Sequence, residues 1–172
     1  MSSMKTPIPE SPVPICVTGH RPNKLGGYSP FATGVLRNVA AFCLQSLPWT
    51  PPFVITGMAL GWDQAVAHAC HSLSIPFHAY IPFPSQASLW DPDDRTAYLS
   101  LLSKASQIVT CSPDPYAAWK MERRNRRMVM ASRLVLACWD GSSGGTSNCI
   151  RYARSLSRPI VNCYDTFVSQ SV

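Results

Sequence analysis

Residues 133–157, RLVLACWDGSSGGTSNCIRYARSLS, run from an apolar segment through a glycine- and serine-rich turn into a helical pattern. Residues 133–141 read as a strand and 146–157 as a helix. Working outward, the same alternation fills the chain. Further strands are expected at 13–19, 53–59, 77–84, 107–112 and 159–165. Helices are expected at 29–47, 62–74, the second part of 88–106, and 116–132, with Ser29 as N-cap and Pro30 opening the first of them. Strands alternating with helices require βαβ crossovers and a mostly parallel sheet buried on both faces. The expected fold is therefore α/β, a Rossmann-like three-layer sandwich. Residues 1–12, rich in Pro and Ser, form an expected flexible tail, which leaves 13–172 as a single domain.

The bulk numbers agree with this reading. The chain has 172 residues, of which 46% are hydrophobic and 14% charged, values of a globular protein and not of a disordered one. A net charge of +6 favours phosphorylated or polyanionic partners. Much of that charge sits in KMERRNRR, residues 120–127, which suits a patch or pocket better than a DNA-coating surface. The seven cysteines are odd in number and show no C-x-x-C spacing, so a reducing compartment is expected. With no apolar leader and no run of membrane-spanning length, a cytoplasmic protein without membrane partners is expected.

Ligands of open parallel sheets bind at the carboxyl ends of the strands, and the unusual residues collect there. Thr18, Gly19, His20 and Arg21 follow the first strand, in TGHRPNKLGGY (18–28). Lys24 is expected to face solvent. The second strand is followed by GMALGWDQAVA (57–67), whose Gly57 and Gly61 let backbone approach a base or ribose. Asp63 has two readings: it favours the dipole of the helix it opens, or it serves a ligand as ribose acceptor or catalytic carboxylate. The turn made by Ser142, Ser143, Gly144, Gly145 and Thr146, with Asn148 in the following helix, is the best phosphate cradle in the chain. It is not a P-loop, because the lysine of G-x-x-x-x-G-K-[ST] is missing.

On the basic helix, Asn125 is expected on the apolar face with Ala118, Met121, Met128 and Ser132, and Arg124 at the cleft edge. Arg123, Arg126 and Arg127 read as a solvated face. His68, Cys70 and His71 have no second cluster to complete a metal site, so no metal and no cofactor are expected. Trp62, Trp90, Trp119 and Trp139 are candidates to stack on a base, and Trp49 reads as surface packing.

Together TGHRPNKLGGY, GMALGWDQAVA, RNRRMV (124–129) and WDGSSGGTSNCIRYA (139–153) resemble the SLOG superfamily, the Rossmann-like group around the Lonely Guy enzymes and the DNA-processing protein DprA. More narrowly they resemble its TGHR branch of bacterial and phage proteins. The resemblance covers roughly residues 13–165 and implies a nucleotide site at the strand ends. It also implies a homo-oligomer, a dimer or higher. MERRNRRM (121–128) looks like the Lonely Guy helix motif M-H-x-R-K-x-x-M, with Arg124 at the arginine and Asn125 in place of the lysine. SSGGTSNC (142–149) looks like the motif P-G-G-x-G-T-x-E-E, but Asn148 and Cys149 replace both glutamates. N-glycosidic cleavage needs a carboxylate; here Asp63 and Glu122 are the catalytic candidates if the protein is an enzyme.

Three functions follow as expectations. The first is binding or sensing of a phosphorylated nucleoside or an ADP-ribose-like molecule. The second is nucleotide N-glycosidase or phosphoribohydrolase activity. The third, ranked last, is nucleic-acid binding through residues 123–127.

Overall fold

A computed structural model describes residues 6–171. The strands are β1 (Ile15–Gly19), β2 (Val54–Thr56), β3 (Phe77–Ile81), β4 (Gln107–Thr110), β5 (Leu134–Cys138) and β6 (Ile160–Asn162). The helices are α1 (Pro30–Gln45), α2 (Trp62–Ser72), α3 (Pro92–Leu102), α4 (Ala118–Met130), α5 (Gly145–Ser155) and α6 (Tyr164–Gln170), with a short 3-10 turn at Pro22–Lys24. The sheet runs β4-β3-β2-β1-β5-β6 and every pairing is parallel. This is the expected Rossmann-like sandwich.

The central strands β1, β2 and β5 are buried on both faces because each face carries helices, whereas the edge strands β4 and β6 are partly exposed. Ile15, Val17, Leu134 and Leu136 pack in the layer of α1, α2 and α6. Their neighbours Cys16, Val135 and Ala137 pack against Met128 and Val129 of α4 and Cys149, Ile150 and Ala153 of α5. The start of α1 follows local chemistry: Ser29 Oγ accepts from Ala32 N at 3.1 Å, and Pro30 opens the helix.

From β1 the chain steps through β2 and β3 to β4 at one edge, then crosses back to β5 and β6. That reversal opens a crevice at the carboxyl ends of β1 and β5. Gly19 pairs with Cys138, so both strands end level and their following loops are side by side.

Three expectations change. The second strand ends at Thr56, not at 59, because Gly57 follows and Met58 turns to a φ of 58°. The last strand ends at Asn162: its Oδ1 accepts from Trp139 N and Tyr164 N, and the chain turns into α6 instead of continuing to 165. Trp62 is no stacking platform, since it is fully buried and donates Nε1 to Leu136 O. Of the expected tail, residues 1–5 lie outside the described residues. Residues 6–12 carry no helix or strand, and Pro9 O accepts from the half-buried Trp49.

Candidate functional site

The loop after β1 is pressed between two neighbours. His20 N continues the ladder to Cys138 O at 3.1 Å, and His20 O accepts from Trp62 N at 3.2 Å. Only glycine fits at 61, where φ is +96° and a Cβ would lie 2.6 Å from His20 O. His20 Nε2 sits 2.6 Å from Asp140 Oδ1, which also accepts from Ser142 N at 2.8 Å. Bonds from Ser142, and then the His20 partner, hold the Asp140 carboxyl well below the usual range. Lys24 is half exposed, as expected, yet its Nζ donates to Ser142 Oγ and lies 3.8 Å from Asp140 Oδ2. It bridges the β1 and β5 loops instead of pointing away from them.

The loop after β2 builds the floor. Thr56 Oγ1 donates to Asp63 O at 2.9 Å and accepts from Met58 N at 3.2 Å, which folds the turn back onto the start of α2. Asp63 Oδ2 accepts from Ala59 N at 3.3 Å. Burial pushes its pKa up to about 6, against the opposing pull of Arg124, Ala59 N–H and Arg21. Arg124 is itself buried, which lowers its pKa. It donates Nη1 to the carbonyls of Gly57 and Tyr80, and Nε to Asn125 Oδ1 at 2.8 Å.

This corrects the expected face of α4. The buried stripe is Lys120, Arg124, Met128 and Val129, while Ala118 is exposed and Asn125 half-buried. Lys120 Nζ reaches the carbonyls of Pro113 and Pro115. The charges point inward because backbone carbonyls at the loop ends receive them.

A cleft of about 340 Å³ results. Thr18, Gly19, His20 and Arg21 line one wall, Asp63, Arg124 and Asn125 the floor, and Ser143, Gly145 and Thr146 the opposite wall. Val17, Asn23, Lys24, Ala59 and Met121 complete it; none was a ligand candidate from sequence, Lys24 having been expected to face solvent and Met121 to lie on the apolar face of α4. The opening of α5 leaves the N–H groups of Gly145, Thr146 and Ser147 without intrahelical acceptors beside this space.

Other candidates stand elsewhere. Gly57 and Gly61 shape the floor from behind it. Ser142 is tied to Asp140, and Gly144 turns the chain at φ 141°. Asn148 and Glu122 line an adjoining groove of about 770 Å³ between α4 and α5, which shares Met121, Asn125 and Gly145 with the cleft. There Glu122 is exposed and pairs with Arg126 at 2.7 Å, so the two carboxylates Asp63 and Glu122 are not brought together. Trp119 lines the same groove, and Trp139 donates Nε1 to Ser142 O. The groove is larger, but the cleft is the one lined by buried charged side chains, Asp63 and Arg124.

Burial and Arg37, 3.0 Å away, lower the His68 pKa to about 4, while His71 is exposed. Among the described residues no cluster of three His, Cys, Asp or Glu could hold a metal. All seven cysteines are free and buried. No helix among the described residues is long and apolar enough to cross a membrane.

No protein-family model matches the chain. It is 33% identical over 117 residues to the uncharacterised SPbeta prophage-derived protein YoqJ of Bacillus subtilis (strain 168), spanning 58% of this chain and 68% of that one. A UPF0398 protein of Bacillus thuringiensis (strain Al Hakam) is 25% identical over 167 residues, 90% of this chain and 89% of its own. The fold is that of DNA processing protein A from Helicobacter pylori, with a TM-score of 0.60 at 14% identity over 94% of this chain and 74% of that one. The chain belongs to the family of the prophage-derived protein YoqJ.

A molybdenum cofactor binding protein from Rippkaea orientalis also superposes, with a TM-score of 0.56 at 14% identity over 95% of this chain and 86% of its own. Set against the Lonely Guy motifs that the chain resembles, Arg124 stands at the motif arginine and is held by Gly57, Tyr80 and Asn125. Both glutamate positions are occupied by other residues, and among the described residues Asp63 is the one carboxylate lining the cleft.

Proposed function

We propose that the cleft binds a nucleotide or nucleotide-derived ligand, as the site of a single SLOG domain spanning 13–172. The observation that carries this reading is the arrangement of charge. Arg21 and Lys24 face the open amide groups of α5 across a floor that holds buried Arg124 and Asp63. A phosphate on Gly145 and Thr146 gains charge-assisted bonds from Arg21 and Lys24, and the sugar lies over Asp63. The volume falls in the range of small-molecule sites, roughly 300–1,000 Å³. The Helicobacter protein, described by its single-stranded DNA binding mode, and the molybdenum cofactor binding protein fit a fold used for ligand capture. By the same resemblance the protein assembles as a homo-oligomer.

A second reading, N-glycosidic cleavage, is favoured by one observation: Asp63 lines the cleft and is buried, which pushes its carboxyl pKa up to about 6, a range suited to an acid or base. A thermal-shift panel of mononucleotides, dinucleotides, cyclic nucleotides and ADP-ribose, with product analysis by mass spectrometry, tests both. A ligand at a hundred times its Kd adds about 2.7 kcal/mol of stability. Stabilisation that Arg21→Ala abolishes, with ligand recovered intact, is the expected result. Release of free base, lost in Asp63→Asn, makes the protein a hydrolase. No shift from any member of the panel removes the nucleotide reading.

A further inference from the structure

We propose that the cavity beyond the end of β3 is a nucleobase subsite, so that the ligand of the cleft carries an aromatic base as well as a sugar phosphate. This rests on the cleft being the nucleotide site.

The cavity, of about 280 Å³, opens off the cleft and shares Arg21 and Met121 with it. Phe83, Trp90 and Tyr116 line it. Phe83 is buried and Tyr116 meets it edge to face at 5.8 Å, leaving Tyr116 66% exposed. Trp90 is fixed edge to face against buried Tyr98 at 5.3 Å. Rings held in place by their neighbours lose little freedom when a planar group stacks on them. Leu89, 96% exposed, stands at the rim as apolar surface without cover.

The polar side of the cavity is connected to the cleft floor. Gln86 Nε2 donates to Gly57 O at 3.1 Å, the same carbonyl that receives Arg124. Its Oε1 accepts from Tyr98 OH at 3.4 Å, which leaves one N–H and one lone pair of the amide for the edge of a base. Ser88 adds an exposed hydroxyl. Arg21, at the junction with the cleft, is the one charged residue lining the cavity. A neutral aromatic ring with hydrogen-bonding edges fits that chemistry. The α4–α5 groove, with Glu122, Arg126 and Arg151, does not.

Calorimetric titration of the full chain with AMP, GMP, CMP, UMP and ribose 5-phosphate tests the assignment, with Tyr116→Ala and, as control, Trp119→Ala in the groove. At least one nucleotide should bind tenfold or more tighter than ribose 5-phosphate. Tyr116→Ala should remove roughly ten- to a hundredfold of that nucleotide's affinity and leave ribose 5-phosphate unchanged, and Tyr116→Phe should restore it. Trp119→Ala should alter neither. Equal binding of nucleotide and ribose 5-phosphate, insensitive to Tyr116→Ala, overturns the subsite while the cleft stands. Loss in Trp119→Ala instead moves the base to the groove and also overturns it. Binding of none of the five probes overturns the subsite, and the cleft reading falls with it when the dinucleotides, cyclic nucleotides and ADP-ribose of the thermal-shift panel also give no shift.

Discussion

His20 and Asp140, 120 residues apart in the chain, meet at 2.6 Å across the ends of β1 and β5. The contact ties the two loops that form opposite walls of the cleft, and Ser142 N–H and Lys24 complete the shell around the carboxylate. These partners favour the ionised form, so the folded pKa lies below the unfolded value of about 3.9. The contribution to stability is therefore present above that value and lost as pH falls through the folded pKa. Asp140→Asn should lower Tm at neutral pH, and its deficit should shrink as the pH is taken below about 3.9. Thermal melts of both proteins across that range check it; a deficit independent of pH would assign the role to packing.

Glycine at 57 is required by what lies behind it. A Cβ there would sit 2.2 Å from Arg124 Nη1 and 2.8 Å from Asp63 Oδ2. Gly57→Ala should cost about 1–3 kcal/mol through overpacking and displace both charged groups of the floor, weakening ligand affinity as well. Gly34, inside α1 with nothing within 4 Å of its added Cβ, is the control. Gly34→Ala should instead stabilise by about 0.5–1 kcal/mol. Chemical denaturation of the pair separates the two effects; equal ΔG changes would show that the Arg124 side of the floor yields.

The fold was legible because buried parallel strands are short apolar runs and their helices carry a different period, so both signals survive in one sequence. The loops after β1, β2 and β5 were legible as well, through glycines that sit where strands stop. Arg124 was not. Amphipathic reasoning turns charged residues outward, and only the tertiary fold brings the carbonyls of Gly57 and Tyr80 to a guanidinium on α4. Lys120 escaped for the same reason, its partners being Pro113 and Pro115. Trp62 reads as an exposed aromatic beside a glycine loop, yet a Cβ on Gly19 would touch it at 2.6 Å, so its burial depends on a glycine 43 positions earlier. Partners far apart in sequence leave no periodic trace. Helix α6 is too short to announce itself, with Phe167 its one buried residue.

Asp63 should give the clearest pH signature in the molecule. Burial raises its folded pKa to about 6, so the folded chain holds the proton more tightly than the unfolded chain does. The associated stability is complete below about pH 4 and declines as pH rises through the folded value, then stays level. The decline amounts to about 2–3 kcal/mol. Asp63→Asn removes the titrating group, and subtracting its stability profile from that of the parent isolates this step from the other carboxylates. A carboxyl 13C titration should place the midpoint near 6. A midpoint near the ordinary 3.9 would mean that Arg124 and the Ala59 N–H outweigh burial. Asp63 would then be a fixed anion at neutral pH, fit to orient a ribose hydroxyl or steady a developing positive charge but not to donate a proton.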